Sequence, residues 1–111
     1  MANIYKNAKV DLTTSNTTTL YTVPSNSRAI VKSLLVAEDA GGAATIFVTL
    51  VDAAGAIFTL FSFKGLSGNE TLQLLTEPLI LQESEVLKVK ANNGNKLHVV
   101  ASILEINRED S

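Results

Sequence analysis

Glu85-Val86-Leu87-Lys88-Val89-Lys90-Ala91 runs into Asn92-Asn93-Gly94-Asn95, and then into Lys96-Leu97-His98-Val99-Val100-Ala101-Ser102-Ile103-Leu104-Glu105-Ile106. Val86, Lys88 and Lys90 alternate with Leu87, Val89 and Ala91, the two-residue period of a strand covered on one face. The Asn93-Gly94 pair predicts a hairpin, because both residues tolerate positive φ. The second run is β-branched and longer, so it reads as a strand of the same kind.

The same pattern extends to both ends of the chain. Strands are expected at Tyr5–Thr14, Thr17–Val23, Arg28–Glu38, Ala44–Asp52, Ala56–Lys64, Glu70–Thr76, Leu79–Leu81, Glu85–Ala91 and Lys96–Ile106. Clusters of Gly, Asn, Asp, Ser and Pro separate them, as at Pro24-Ser25-Asn26-Ser27, Asp39-Ala40-Gly41-Gly42 and Ala53-Ala54-Gly55. In Tyr5–Thr14, Ala8, Val10 and Leu12 share one face while Lys9 and Asp11 share the other. Pro78 and the alternation after Glu85 argue against a helix over 77–89. The expected fold is all-β: an antiparallel β-sandwich, jelly-roll-like, with about eight strands.

The 111 residues fit one domain, 1–111, with residues 1–14 as an N-terminal arm or edge strand and 107–111 as a flexible tail. No cysteine is present, which excludes disulfides, thiolate metal sites and thiol catalysis. The net charge of −2 and the scattered Lys and Arg residues do not form the basic stripe of a nucleic-acid binder. No signal-peptide h-region or apolar stretch of membrane-spanning length is visible, so synthesis in a cytosol and a soluble product are expected.

Three strands break the one-sided rule. Ile30, Leu34 and Val36 oppose Val31 and Leu35; Ile57, Phe61 and Phe63 oppose Phe58 and Leu60; Leu97, Val99, Ala101 and Ile103 oppose Val100, Leu104 and Ile106. A small domain has few means of covering both faces of three strands, and a partner chain is the sharper explanation. Three of the four phenylalanines fall between residues 58 and 63. Phe58, Leu60, Phe61 and Phe63 are therefore the candidate interface residues, and a homo-oligomer is expected.

Catalytic constellations are absent from the sequence. His98 is the only histidine and has no nucleophile elbow to serve. Glu83 and Glu85, and Glu38 with Asp39, read as solvated turn residues. Asn92 to Asn95 offers amide oxygens without a carboxylate, and Gly41-Gly42 precedes neither a Lys-Ser pair nor a helix. No catalytic residue, metal ligand or cofactor is expected. Tyr5 and Tyr21 are the only candidates for a sugar-stacking platform, which makes a carbohydrate-binding adhesion module the third functional reading.

Thr18-Thr19-Leu20-Tyr21-Thr22-Val23-Pro24 and Arg28 to Val36, followed by Pro78-Leu79-Ile80-Leu81, Val86-Leu87-Lys88-Val89 and Val99 to Glu105, resemble small all-β virion proteins of tailed bacteriophages, often cyanophages. The similarity covers roughly residues 17 to 106, and its motifs are structural. Glu83-Ser84-Glu85 departs from it, where such sequences more often carry a Gly-Asp turn. The resemblance implies a virion component without catalytic residues. That component is a capsid decoration (cement) protein stabilising the head, or else a tail, neck or fibre-base component. It further implies the major capsid protein or other virion proteins as partners, and a trimer; the charge balance and hydropathy leave neither nucleic acid nor membrane as an expected ligand.

Overall fold

The computed structural model describes residues 2–107 and contains nine strands, with no helix among the described residues. They are β1 (Ala2–Leu12), β2 (Thr18–Thr22), β3 (Ser27–Glu38), β4 (Ala44–Val51), β5 (Ile57–Leu66), β6 (Thr71–Gln73), β7 (Leu79–Leu81), β8 (Val86–Ala91) and β9 (Leu97–Asn107). The tail expected at 107–111 lies outside the described residues apart from Asn107, which ends β9.

Two antiparallel sheets face each other. One has the order β1-β9-β3-β6, with β7 also paired to β3; the other has the order β2-β8-β4-β5. The pairs nest: β4 with β5, β3 with β6 and β7, β2 with β8, β1 with β9. The chain is thus one long hairpin rolled up from its tip, the path of a jelly roll, and β6 plus β7 act as a single interrupted strand. Strands of up to 12 residues make the molecule elongated, 48 × 26 × 23 Å.

The core lies between the sheets. Leu12, Val31, Leu34, Val36, Ile46, Val48, Leu81, Leu87, Leu97 and Val99 are fully buried there. In β8, Leu87, Val89 and Ala91 face inward and Lys88 and Lys90 outward, as the alternation requires.

The two-faced pattern of β3 has an internal cause. A bulge between Val31 and Ser33 inserts Lys32 as an unpaired residue, so the inward set switches from Ala29 and Val31 to Leu34 and Val36. The bulge thus accounts for the burial of both Val31 and Leu34, while Leu35 stays 38% exposed on the outer face. The bulge sits where the neighbouring edge breaks between β6 and β7. Gln73 bridges the gap: its Oε1 accepts the N–H groups of Leu34 and Leu75, at 2.8 and 3.1 Å. In β9 the pattern is true of the sheet. Val100, Leu104 and Ile106 are half-buried on the outer face of a central strand, flanked by β1 and β3.

The Asn93-Gly94 hairpin does not form. β8 and β9 belong to different sheets, so 92–96 is a corner between layers. Positive φ falls on Asn95, not Gly94. Gly94 is required for another reason: a Cβ there would lie 2.4 Å from the carbonyl oxygen of Thr13. The hairpin at 52–56 does form, with the Asp52 carboxylate accepting the N–H groups of Ala54 and Ala56 and Gly55 at φ 91°.

Candidate protein–protein interface

β5 is the outermost strand of the four-stranded sheet, and it is bulged twice against β4. Ten residues of β5 span eight of β4, and Phe63 takes φ +52° at one of the irregularities. The bulges shift the alternation around Phe61 and Phe63, while Ile57 and Phe58, neighbours in the unshifted end of the strand, are both exposed. Ile57 is 69%, Phe58 51%, Leu60 36% and Phe63 69% exposed. Phe61 differs: it is half-buried, pairs with Val48 and packs on the core. The four candidate residues therefore divide into three that face solvent and one that anchors the strand.

The outer face beside this edge is also aromatic. Phe63 meets Phe47 edge-on, with ring centroids 4.4 Å apart, and the Lys90 ammonium stands 5.2 Å from the centre of the Phe47 ring. The edge is therefore an apolar ridge with the Lys90 ammonium at its base. Such a surface excludes water from a partner at its centre and leaves charge at its rim.

Two buried clusters fix the frame that presents this ridge. The first joins the two sheets at the opposite edge. The Tyr21 hydroxyl of β2 donates a short hydrogen bond to the buried Glu105 carboxylate of β9, and Lys6 of β1 donates to the same oxygen at 3.2 Å. Burial, reinforced by the neighbouring carboxylate, pushes the Tyr21 phenol far above its ordinary value. Tyr21 is thus no sugar platform, because its ring lies inside the sandwich. Tyr5 alone of the two tyrosines is exposed.

The second cluster lies at the ends of the strands. Glu38 is buried, not a solvated turn residue as its neighbours imply. Its carboxylate accepts the N–H groups of Asn69 at 2.8 Å, Gly41 at 3.0 Å and Ala40 at 3.1 Å. These bonds, Asn69 foremost, hold its pKa below the usual carboxylate value. They clasp loop 39–43 to loop 67–70, which approach so closely that a Cβ on Gly68 would sit 2.7 Å from the Gly41 carbonyl oxygen.

His98 lies on the outer face of the other sheet. Its Nε2 is 3.1 Å from Asp11 and its Nδ1 is 3.2 Å from Asp39. The two carboxylates address opposite sides of the ring and do not converge on one point. No group of three His, Asp or Glu side chains among the described residues is placed to hold a metal ion. No helix among them is long and apolar enough to cross a membrane.

No protein-family model matches the chain, and no curated protein matches it in sequence. Solved structures do match in fold. A chain from the T13 particle of infectious bursal disease virus superposes with a TM-score of 0.56 at 12% identity, over 93% of this chain and 30% of its own length. VP2 of that virus, in derived T=1 particles, gives 0.51 at 12% identity, over 93% and 31%. A subunit of Bacillus endospore appendages, a family of disulfide-linked pili, gives 0.56 at 6% identity, over 95% and 88%. This chain spans under a third of these two viral chains. At these identities the likeness is one of fold: an all-β sandwich of the kind found in viral capsid proteins.

Proposed function

We propose that this chain is a non-enzymatic structural protein of a virus particle, held to its neighbours through the apolar ridge of β5. The observation that carries the proposal is the exposure of Ile57, Phe58, Leu60 and Phe63 together on one edge strand of a rigid, helix-free sandwich. Clustered exposed aromatics on a folded domain mark contact surfaces. The fold supports the reading, since the matched structures include a T13 viral particle. The resemblance of Thr18 to Pro24 and Val99 to Glu105 to small virion proteins of tailed bacteriophages gives the finer form: a decoration protein that cements the head by contacts with the major capsid protein. The near-neutral charge fits contact with protein rather than with packaged nucleic acid.

Quantitative mass spectrometry of purified particles tests this reading. The expected result is a copy number comparable with that of the major capsid protein. A small number matching tail symmetry would move the chain to the tail or neck. Absence from particles would overturn the virion role.

A further inference from the structure

The sandwich has several sheet edges, and all but one are blunted. β2 is five residues long and irregular between Thr19 and Tyr21. β5 is bulged twice. β6 and β7 have three residues each. Short and bulged edges refuse an added strand. β1 is different: its 11 residues pair one for one with β9 without a single shift. The Leu12 carbonyl accepts the Asn95 N–H at 2.8 Å, at the start of β9. Antiparallel alternation then turns the N–H and C=O groups of Asn3, Tyr5, Asn7 and Lys9 to the open side.

We propose that a second copy of this chain pairs its β1 antiparallel to this one, continuing the β1-β9-β3 sheet across a two-fold axis at Asn7. This inference rests on the fold and is independent of the virion reading. The side chains select the register. With Asn7 opposite Asn7, Ile4 meets Val10, Tyr5 meets Lys9, Lys6 meets Ala8 and Asn3 meets Asp11. Apolar residues meet on the inner face, a cation meets a ring on the outer face, and no like charges face each other. Lysines commonly protect an edge. Here Lys6 is already neutralised by Glu105, and neither Lys6 nor Lys9 meets a cation. Moving the axis one residue toward the N-terminus sets Lys6 against Lys6. Moving it one residue the other way sets Lys6 against Val10 and shortens the pairing. An odd shift turns the inner face outward. Pairing also covers part of Tyr5, which is 74% exposed.

Light scattering on the full chain across a concentration series tests the proposal, with two variants. Asn7→Pro removes an N–H from the open side while leaving the β9 ladder intact, and Asn7→Lys places two cations across the axis. The expected result is twice the 11.8 kDa chain mass for the wild type and the single-chain mass for both variants, with unchanged circular dichroism. Single cysteines test the register even where a variant folds poorly. Asn7→Cys is expected to oxidise to a covalent dimer, whereas Asn3→Cys is not, because its two thiols would lie about 27 Å apart along the strands. A wild-type monomer, a trimer, a dimer that survives both variants, or equal crosslinking at both positions would each overturn the proposal.

Discussion

Glu38, through its backbone hydrogen bonds, and Tyr21, through its burial, each set a pH limit on stability. The Glu38 carboxylate is held below its ordinary pKa by the backbone N–H groups of Asn69, Ala40 and Gly41. Its contribution is complete above the ordinary carboxylate range and is lost as the pH falls through the depressed value. Thermal melts should therefore show Glu38→Gln less stable than wild type at pH 7, with the gap closing as the pH falls below the ordinary carboxylate range. Tyr21 works with the opposite sign. Its phenol is raised, so its contribution is complete below about pH 10 and fades as the pH climbs beyond. Tyr21→Phe leaves the buried Glu105 oxygen with Lys6 alone. Denaturant unfolding at pH 7 should register a loss of about 1–3 kcal/mol, and the variant should lose less than wild type above about pH 10. Neither residue stands out in the linear sequence. Glu105 shares the parity of Leu97, Val99, Ala101 and Ile103, and that was the available signal. For Glu38, Ala40 and Gly41 are local donors, but Asn69 comes from a loop 31 residues away, which no local pattern encodes.

At the scale of the element, the strands were legible and their phases were not. All nine runs contain a strand, because hydrophobic alternation and turn residues are local signals, though the run expected at Glu70–Thr76 keeps only Thr71–Gln73 and that expected at Tyr5–Thr14 starts earlier, at Ala2. A bulge adds one residue without changing composition, so the parity switch at Lys32 reads in sequence as a strand apolar on both faces. Leu34 and Leu35 give a direct test of that switch. Unbroken alternation from Val31 would bury Leu35, whereas the bulge buries Leu34. Leu34→Ala should cost about 2–5 kcal/mol, and Leu35→Ala under about 1 kcal/mol, in urea unfolding. Equal losses would contradict the bulged register. The Asn93-Gly94 corner taught the same lesson about pairing. A turn signal reports local backbone freedom, while the topology decides whether the flanking strands share a sheet. Gly94→Ala should lower the melting temperature, since its Cβ would strike the Thr13 backbone.

The whole molecule is a two-sheet frame whose densest cluster of exposed apolar side chains lies on β5. The two sheets bury the inner faces of β3, β8 and β9 against each other, the Tyr21–Glu105–Lys6 cluster ties one edge, and the Glu38 clasp ties the loops. On β5, Phe61 is drawn into the core while Ile57, Phe58, Leu60 and Phe63 stay outside. The clustering of phenylalanine was visible in the sequence; which of them face solvent depends on the two bulges and was not. Because Phe58 and Phe63 face solvent, replacing both should leave folding nearly unchanged, within about 1 kcal/mol by denaturant unfolding. The measurement that tests the central claim most directly is rebinding to virus particles stripped of this chain, comparing wild type with the Phe58→Ser/Phe63→Ser variant. Saturable binding by wild type and its loss in the folded variant is the predicted result. Equal binding by the two, or no binding by wild type, would contradict a structural role exercised through β5.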